Sequence, residues 1–222
     1  MEKYLDENLV IIPKPDFISW QEITQLLHLG YSERADEGLN YSATHQSVEK
    51  TIERVGNGVC LVALLNGKLI GTETYNLIEK KKLKWKRWYQ DEEYYYLHSL
   101  TVHPDYKRKG IGLKIRNYIR DEAIKNKVGS LISDTSEHAK WLIRWYERLG
   151  HKKVGCVSHS GTNYYSVVMR TSISGKSYSD SYRIFRFYIS CFFCRIISKE
   201  NGEWRLMGKV AEKIFRTLFL KK

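Results

Sequence analysis

The sequence predicts a mixed α/β protein, a central sheet flanked by helices, carrying a C-terminal helical extension. Three observations predict it. Asn66-Gly67 separates two apolar runs, and that pair tolerates the positive φ values of a type I′ hairpin turn. From Tyr94 onward the chain reads strand, basic glycine-containing turn, helix, strand, helix, which is a crossover unit. The whole chain to residue 170 reads β-α-α-β-β-β-α-β-α-β-β, with helices interspersed among strands.

Each element has its own signal. LVIIP (Leu9–Pro13) is a short apolar run closed by proline, an edge strand. Phe17, Trp20, Ile23 and Leu26 or Leu27 recur at helical spacing within Asp16–Gly30, and Gly30 suits a helix end. Val48, Ile52 and Val55 share one face of a helix within His45–Val55. VCLVALL and KLIGTETYNLI are the two hairpin strands. Lys80–Glu93 is a basic, aromatic excursion. YYYLHSLTV (Tyr94–Val102) and SLISDTS are strands; Ile111–Lys125 and Glu137–Leu149 are helices, the second ended by Gly150. Lys153–Val157 and Tyr164–Met169 are strands around a Ser-Gly-Thr-Asn turn.

Composition narrows the function classes. The chain has 222 residues, 42% hydrophobic, enough for a real core. It contains no uncharged apolar run of 18 residues, so no spanning helix is expected. The N-terminus carries acids early and has no apolar signal core, which predicts a cytoplasmic protein with reduced thiols at Cys60, Cys156, Cys191 and Cys194. Cys191-Phe-Phe-Cys194 is a lone CxxC without further ligands in its neighbourhood, so no metal site is expected. The net charge is +12, of which residues 171–222 hold +7.

HPDYKRKGIGLKI (His103–Ile115) places three cations before a Gly-x-Gly where a strand becomes a helix. A helix N-terminus offers unpaired N–H groups and partial positive charge. Gly110 and Gly112 leave room for a bulky anion, and Lys107, Arg108 and Lys109 add charge, so the turn reads as a pyrophosphate site. It is not a Walker loop, because GxxxxGK[ST] is absent. It is not a Rossmann fingerprint either, because Leu113, Lys114 and Ile115 follow Gly112 and the third glycine is missing.

LTVHPDYKRKGIGLKI resembles the acetyl-CoA signature of GNAT-type N-acetyltransferases, and WYERLGHKKVG resembles that family's Tyr-Glu-x-Leu-Gly-(Phe/Tyr) motif. The resemblance covers about residues 8–170. It implies the GNAT acyltransferase fold, acetyl-CoA as co-substrate, no metal, and acetyl transfer to an amine. Residues Lys107, Arg108, Lys109, Gly110, Ile111 and Gly112 would hold the pyrophosphate, and the backbone of Leu100 and Val102 the pantetheine. The chain departs from the family pattern in three places. Lys107 replaces the preferred Gln or Arg, Ala139 stands where many members carry a cofactor-bonding Asn, and His151 replaces an aromatic.

Acetyl transfer needs a neutral amine, a polarised carbonyl and a protonated leaving thiolate. The resemblance gives Tyr146 the place of the general acid. For the general base, His98 lies on the strand that would pass the acetyl group, and Asp134 matches a position where some members carry Glu. His103 and His138 read as turn and cap residues. The acceptor expected is a small-molecule amine or amino sugar, with a role in surface-glycan synthesis, approaching over the first two helices and the basic Lys80–Glu93 segment. The competing reading is a non-catalytic acyl-CoA-binding module tethered by its tail.

That tail divides into a polar linker, 171–181, and a basic extension, 182–222, with the acetyltransferase domain at 1–170. Trp204–Leu220 has Arg205, Lys209, Lys213 and Arg216 on one helical face and Val210, Ile214 and Leu218 on the other. Such a helix suits peripheral contact with an anionic membrane, or packing on the core or on a second subunit of a homodimer. Nucleic acid is the weaker partner, since no binding motif accompanies the charge.

Overall fold

The computed structural model describes residues 8–82, 91–159, 161–176, 179–197, 199–200 and 203–204. The expected β-α-α-β-β-β-α-β-α-β-β order is present from Leu9 to Ser172. Strands are β1 (Leu9–Pro13), β2 (Val59–Leu65), β3 (Lys68–Glu79), β4 (Glu93–Val102), β5 (Ser130–Ser136), β6 (Lys152–Ser158) and β7 (Tyr165–Ser172). Helices are α1 (Trp20–Asp36), α2 (Val48–Val55), α3 (Ile111–Lys125), α4 (Lys140–Arg148) and α5 (Asp180–Ile197). The chain divides into two compact units, Met1–Ser133 with Thr171–Ser177, and Asp134–Arg170 with Tyr178–Lys222.

In the first unit β1, β2, β3 and β4 pair antiparallel in sequence order, and β4 pairs parallel with β5. Asn66 and Gly67 take φ values of 52° and 78°, the left-handed pair that the two-residue β2–β3 turn requires. Helix α3 covers one face of this sheet. Its stripe Ile111, Ile115, Ile119 and Ala123 is buried against Leu61, Ala63, Leu97 and Leu131. Each fully buried isoleucine stabilises the fold by about 1.5–3 kcal/mol. Helices α1 and α2 cover the other face, where Ile23, Leu27 and Val55 pack on Cys60, Val62 and Leu64.

Helix α1 starts at a capping box, with the Glu22 amide donating to Ser19 Oγ at 3.2 Å and the Ser19 amide donating to Glu22 Oε2 at 2.7 Å. It runs on through Gly30, which the sequence suggested as its end. The reason is packing: a Cβ at Gly30 would overlap the Thr101 hydroxyl, so glycine lets α1 lie close on β4.

The second unit is built on the β6–β7 hairpin. Ile143 and Tyr146 of α4 pack with Val167 and Met169 of β7. Helix α5 lies against β6, where Ser190 Oγ accepts from the Cys156 amide at 2.7 Å and donates to the Cys156 carbonyl at 3.3 Å. The basic extension is helical to Ile197, but Trp204, the expected start of its amphipathic helix, lies in a strand. Glu203–Trp204 pairs antiparallel with Lys199–Glu200. Residues 205–222, and residues 83–90 of the basic Lys80–Glu93 segment, lie outside the described residues. No helix among the described residues is long and apolar enough to cross a membrane.

Candidate active site

Strand β4 is interrupted within a continuous run of β-forming residues. Thr72 pairs with Thr101 but Thr74 pairs with His98, so Ser99 and Leu100 stand opposite Glu73 alone. Ser99 has φ 59°, a left-handed residue within the strand, and the result is a β-bulge. On the other side of β4 the parallel ladder runs from Tyr94↔Ser130 to Leu97↔Ser133 and goes no further. The bulge and the end of the ladder coincide. Of the two residues whose backbone is expected to meet pantetheine, Leu100 is the second residue of the bulge and Val102 lies two positions beyond it.

The segment after β4 bends back into α3. His103 caps a single 3-10 turn, Pro104–Tyr106, by accepting from the Asp105 amide at 3.3 Å, as expected of a turn residue. Arg108 and Gly110 take left-handed φ values of 62° and 76°. Gly110 is the N-cap of α3 and supplies no side chain to the first helical turn, while Gly112 sits inside that turn. A Cβ at Gly110 would meet nothing within 4 Å, so the space beside the N-cap is open. The amide groups of Ile111 and Gly112 precede the first intrahelical bond, Lys114 N–H to the Gly110 carbonyl at 3.0 Å. This is the geometry of an anion site at a helix start.

The three cations do not contribute alike. Arg108 and Lys109 are exposed. Lys109 Nζ donates to the Asp105 carbonyl at 2.8 Å and lies 5.0 Å from the centre of the Tyr106 ring. Lys107 Nζ reaches the Glu33 carboxylate of α1 at 2.8 Å. That ammonium holds the Glu33 carboxyl below its usual range.

His98 lies on the α1/α2 face of the sheet. Its Nε2 is 2.9 Å from Asn76 Oδ1 and its Nδ1 3.0 Å from Ser99 Oγ. The Asn76 amide nitrogen donates to the Val55 carbonyl at 2.8 Å, which turns the Asn76 oxygen toward the imidazole. Nε2 therefore carries the ring proton, and Nδ1 faces the Ser99 hydroxyl.

Asp134 and Tyr146 belong to the second unit. Asp134 Oδ2 lies 2.9 Å from His159 Nε2 in an acid–histidine pair. Sequence reasoning missed His159 because Ser158-His159-Ser160-Gly161 reads as a polar turn. Tyr146 is 4% exposed, with its ring centre 5.4 Å from that of His151. His151, itself buried, thus takes the packing place of the aromatic it replaces. Ala139 is the N-cap of α4 and offers no side-chain hydrogen bond. All four cysteines are free thiols, as expected, but the CxxC is not isolated: the Cys156 thiol of β6 interacts with both Cys191 and Cys194, because α5 lays its CxxC turn against that strand. Among the described residues no group of His, Cys, Asp or Glu is arranged to hold a metal ion.

Glu73 and Arg116 were also missed. Both are buried, and Arg116 Nη2 lies 2.7 Å from Glu73 Oε1. Burial pushes the Glu73 carboxyl up to about 7 against the opposing pull of Arg116.

Residues 20–151 match the Acetyltransferase (GNAT) family. The chain belongs to that family. The GNAT fold is also seen in solved structures. Arabidopsis thaliana NAA60 in complex with acetyl-CoA superposes with a TM-score of 0.57 at 17% identity, over 75% of this chain and 99% of that one. The putative acetyltransferase yncA from Salmonella typhimurium, with its cofactor acetyl-CoA, superposes with a TM-score of 0.55 at 16% identity, over 78% and 99%. A curated relative, the S-(2-succino)cysteine N-acetyltransferase of Bacillus subtilis (strain 168), is 24% identical over 139 residues, 61% of this chain and 79% of the relative. The protein is therefore an acyltransferase of a family that uses acetyl-CoA as co-substrate and acts on amine acceptors.

Proposed function

We propose that this protein transfers the acetyl group of acetyl-CoA to the primary amine of a small molecule. The observation that carries the reading is the coincidence, within one strand, of the Ser99 bulge and the last β4–β5 rung, placed just before the Gly110–Gly112 helix start. Beyond such a rung, backbone groups of β4 that no longer pair with β5 would be available to a ligand. The Lys107–Gly112 amides and cations would hold the pyrophosphate, and the Leu100 and Val102 backbone the pantetheine. A β4 amide near Leu100 would polarise the thioester carbonyl.

The nucleophile must lose a proton and the thiolate must gain one. Tyr146 is assigned the second task. His98, oriented by Asn76, and the Asp134–His159 pair are the two candidates for the first. A small-molecule acceptor is favoured because the curated relative's name specifies a modified cysteine as its acceptor. Amino sugars, including surface-glycan precursors, belong to the same chemical class. The test incubates purified protein with acetyl-CoA and a panel of S-substituted cysteines, amino sugars and N-terminal peptides. It follows CoA thiol release and the mass gain of one acetyl group. Acetylation confined to peptides would overturn the small-molecule assignment.

A second reading concerns the extension. Phe185, Tyr188 and Phe192 of α5 are 59%, 67% and 61% exposed, within a C-terminal segment of net charge +7. Exposed aromatics beside excess cations suit an anionic lipid surface. Full-length protein should co-sediment with phosphatidylserine-containing vesicles, and F185S/Y188S/F192S should not. Equal sedimentation of the two would remove the membrane role.

A further inference from the structure

The pair Glu73–Arg116 sits where an apolar residue would serve the fold as well. Its neighbours on α3, Ile111, Ile115 and Ile119, are fully buried isoleucines, and the sheet beneath them is apolar. A buried ion pair is a weak source of stability, and replacement by apolar side chains of similar volume is often neutral or stabilising. Something other than stability should account for a guanidinium at this place.

Its contacts are specific. Nη2 of Arg116 meets Glu73 on β3, and Nη1 donates to Ser133 Oγ on β5 at 2.8 Å. These strands are the two neighbours of β4. The guanidinium therefore crosses β4, spanning strands that lie roughly 10 Å apart. Glu73 is the residue opposite the Ser99 bulge, and Ser133 forms the last rung of the β4–β5 ladder. The crossing point is thus the place where the ladder ends. Arg116 also follows Gly112 by one helical turn, so the same side chain ties the start of α3 to that point. A planar guanidinium fixes both distance and direction between two acceptors, which a lysine ammonium does not.

We propose that Arg116, anchored by Glu73, is a positioning residue for acetyl transfer: it holds β3, the bulge of β4 and the end of the β5 ladder in register beneath the first turn of α3. The thioester-polarising amides of β4 and the pyrophosphate cradle then keep one fixed separation. The inference rests on the acetyl-CoA site proposed above.

The test compares wild type, R116K and the apolar pair E73L/R116M, by acetyl-CoA titration calorimetry, steady-state kinetics and thermal melting. Calorimetry needs no acceptor. The double variant should melt at or above the wild-type temperature, yet bind acetyl-CoA at least tenfold more weakly and lose on the order of a hundredfold in kcat/KM, the scale expected of a misplacement near 1 Å. R116K should fail in the same direction. A folded double variant with wild-type affinity and turnover overturns the inference and leaves the site reading intact. Wild-type protein that binds no acetyl-CoA overturns both. Should the double variant not fold, S133A decides. It cuts only the tie to β5 and should lower kcat roughly tenfold with little change in melting temperature; unchanged kcat overturns the inference.

Discussion

The Lys107 ammonium of the cofactor turn lies 2.8 Å from the Glu33 carboxylate of α1. In the proposed site Lys107 would meet phosphate, so cofactor binding would exchange the Glu33 carboxylate for a phosphate oxygen. A half-exposed pair of this kind contributes about 0.2–1 kcal/mol. Glu33→Gln should free Lys107 and tighten acetyl-CoA binding by about two- to fivefold at low ionic strength, with the gain fading in high salt. Calorimetry reads this directly. An unchanged or weaker affinity would show that Lys107 serves α1 rather than the cofactor.

Tyr146 is 4% exposed and packs with Ile143, Val167 and Met169. Such a site suits a core tyrosine, but it also suits a phenol held ready to give up its proton. Tyr146→Phe separates the two, because it keeps the ring and removes the proton donor. Loss of a general acid lowers kcat by roughly a hundredfold or more, with acetyl-CoA KM and melting temperature little changed. Wild-type kcat in the folded variant would leave Tyr146 a packing residue.

The parts of the site carried by local pattern were legible in the sequence. Gly110 and Gly112 could be read at a helix start because adjacent residues make that motif. The Asn66-Gly67 turn could be read because two residues suffice to fix it. The bulge could not, since YYYLHSLTV is continuous in β-forming residues and Ser99 is an ordinary residue within it. Arg116 and Glu73 were hidden by distance along the chain. In an amphipathic helix an arginine reads as surface, and only the packing of α3 over β3 turns it inward to a carboxylate 43 positions earlier. His159 and the third thiol beside the CxxC are likewise products of strand pairing and helix packing. Gly30 shows the converse: glycine signalled a helix end by propensity, yet close approach to Thr101 is what requires it.

The two base candidates make different predictions. His98→Gln retains a polar side chain while removing the basic nitrogen that faces Ser99 Oγ. If His98 takes the acceptor proton, kcat/KM falls by roughly a hundredfold or more near neutral pH. The deficit should narrow at alkaline pH, where the free amine is already neutral. Under that reading Asp134→Asn, which weakens the tie to His159, changes kcat/KM little. The opposite pattern, with Asp134→Asn and His159→Gln impaired alike and His98→Gln active, would move the proton acceptor to the Asp134–His159 pair. Parallel pH–rate profiles of the three variants distinguish these outcomes.

Glu73 adds a pH dependence of stability. Burial pushes its carboxyl up to about 7 from an ordinary value of 4.5, with Arg116 pulling the other way. Between those values the folded chain retains a proton that the unfolded chain has released. The stabilising contribution of this group is therefore fully present below about pH 4.5 and is lost as pH rises through about 7. Other groups titrate in the same range, so the informative quantity is the difference between wild type and Glu73→Gln, which lacks the proton equilibrium but keeps the shape. The melting temperature of wild type minus that of the variant should decline from about pH 5 to about pH 8 and then level off. A flat difference across that range would mean that Arg116 keeps Glu73 ionised throughout. In that case the ion pair would be permanent at every pH at which the protein is folded.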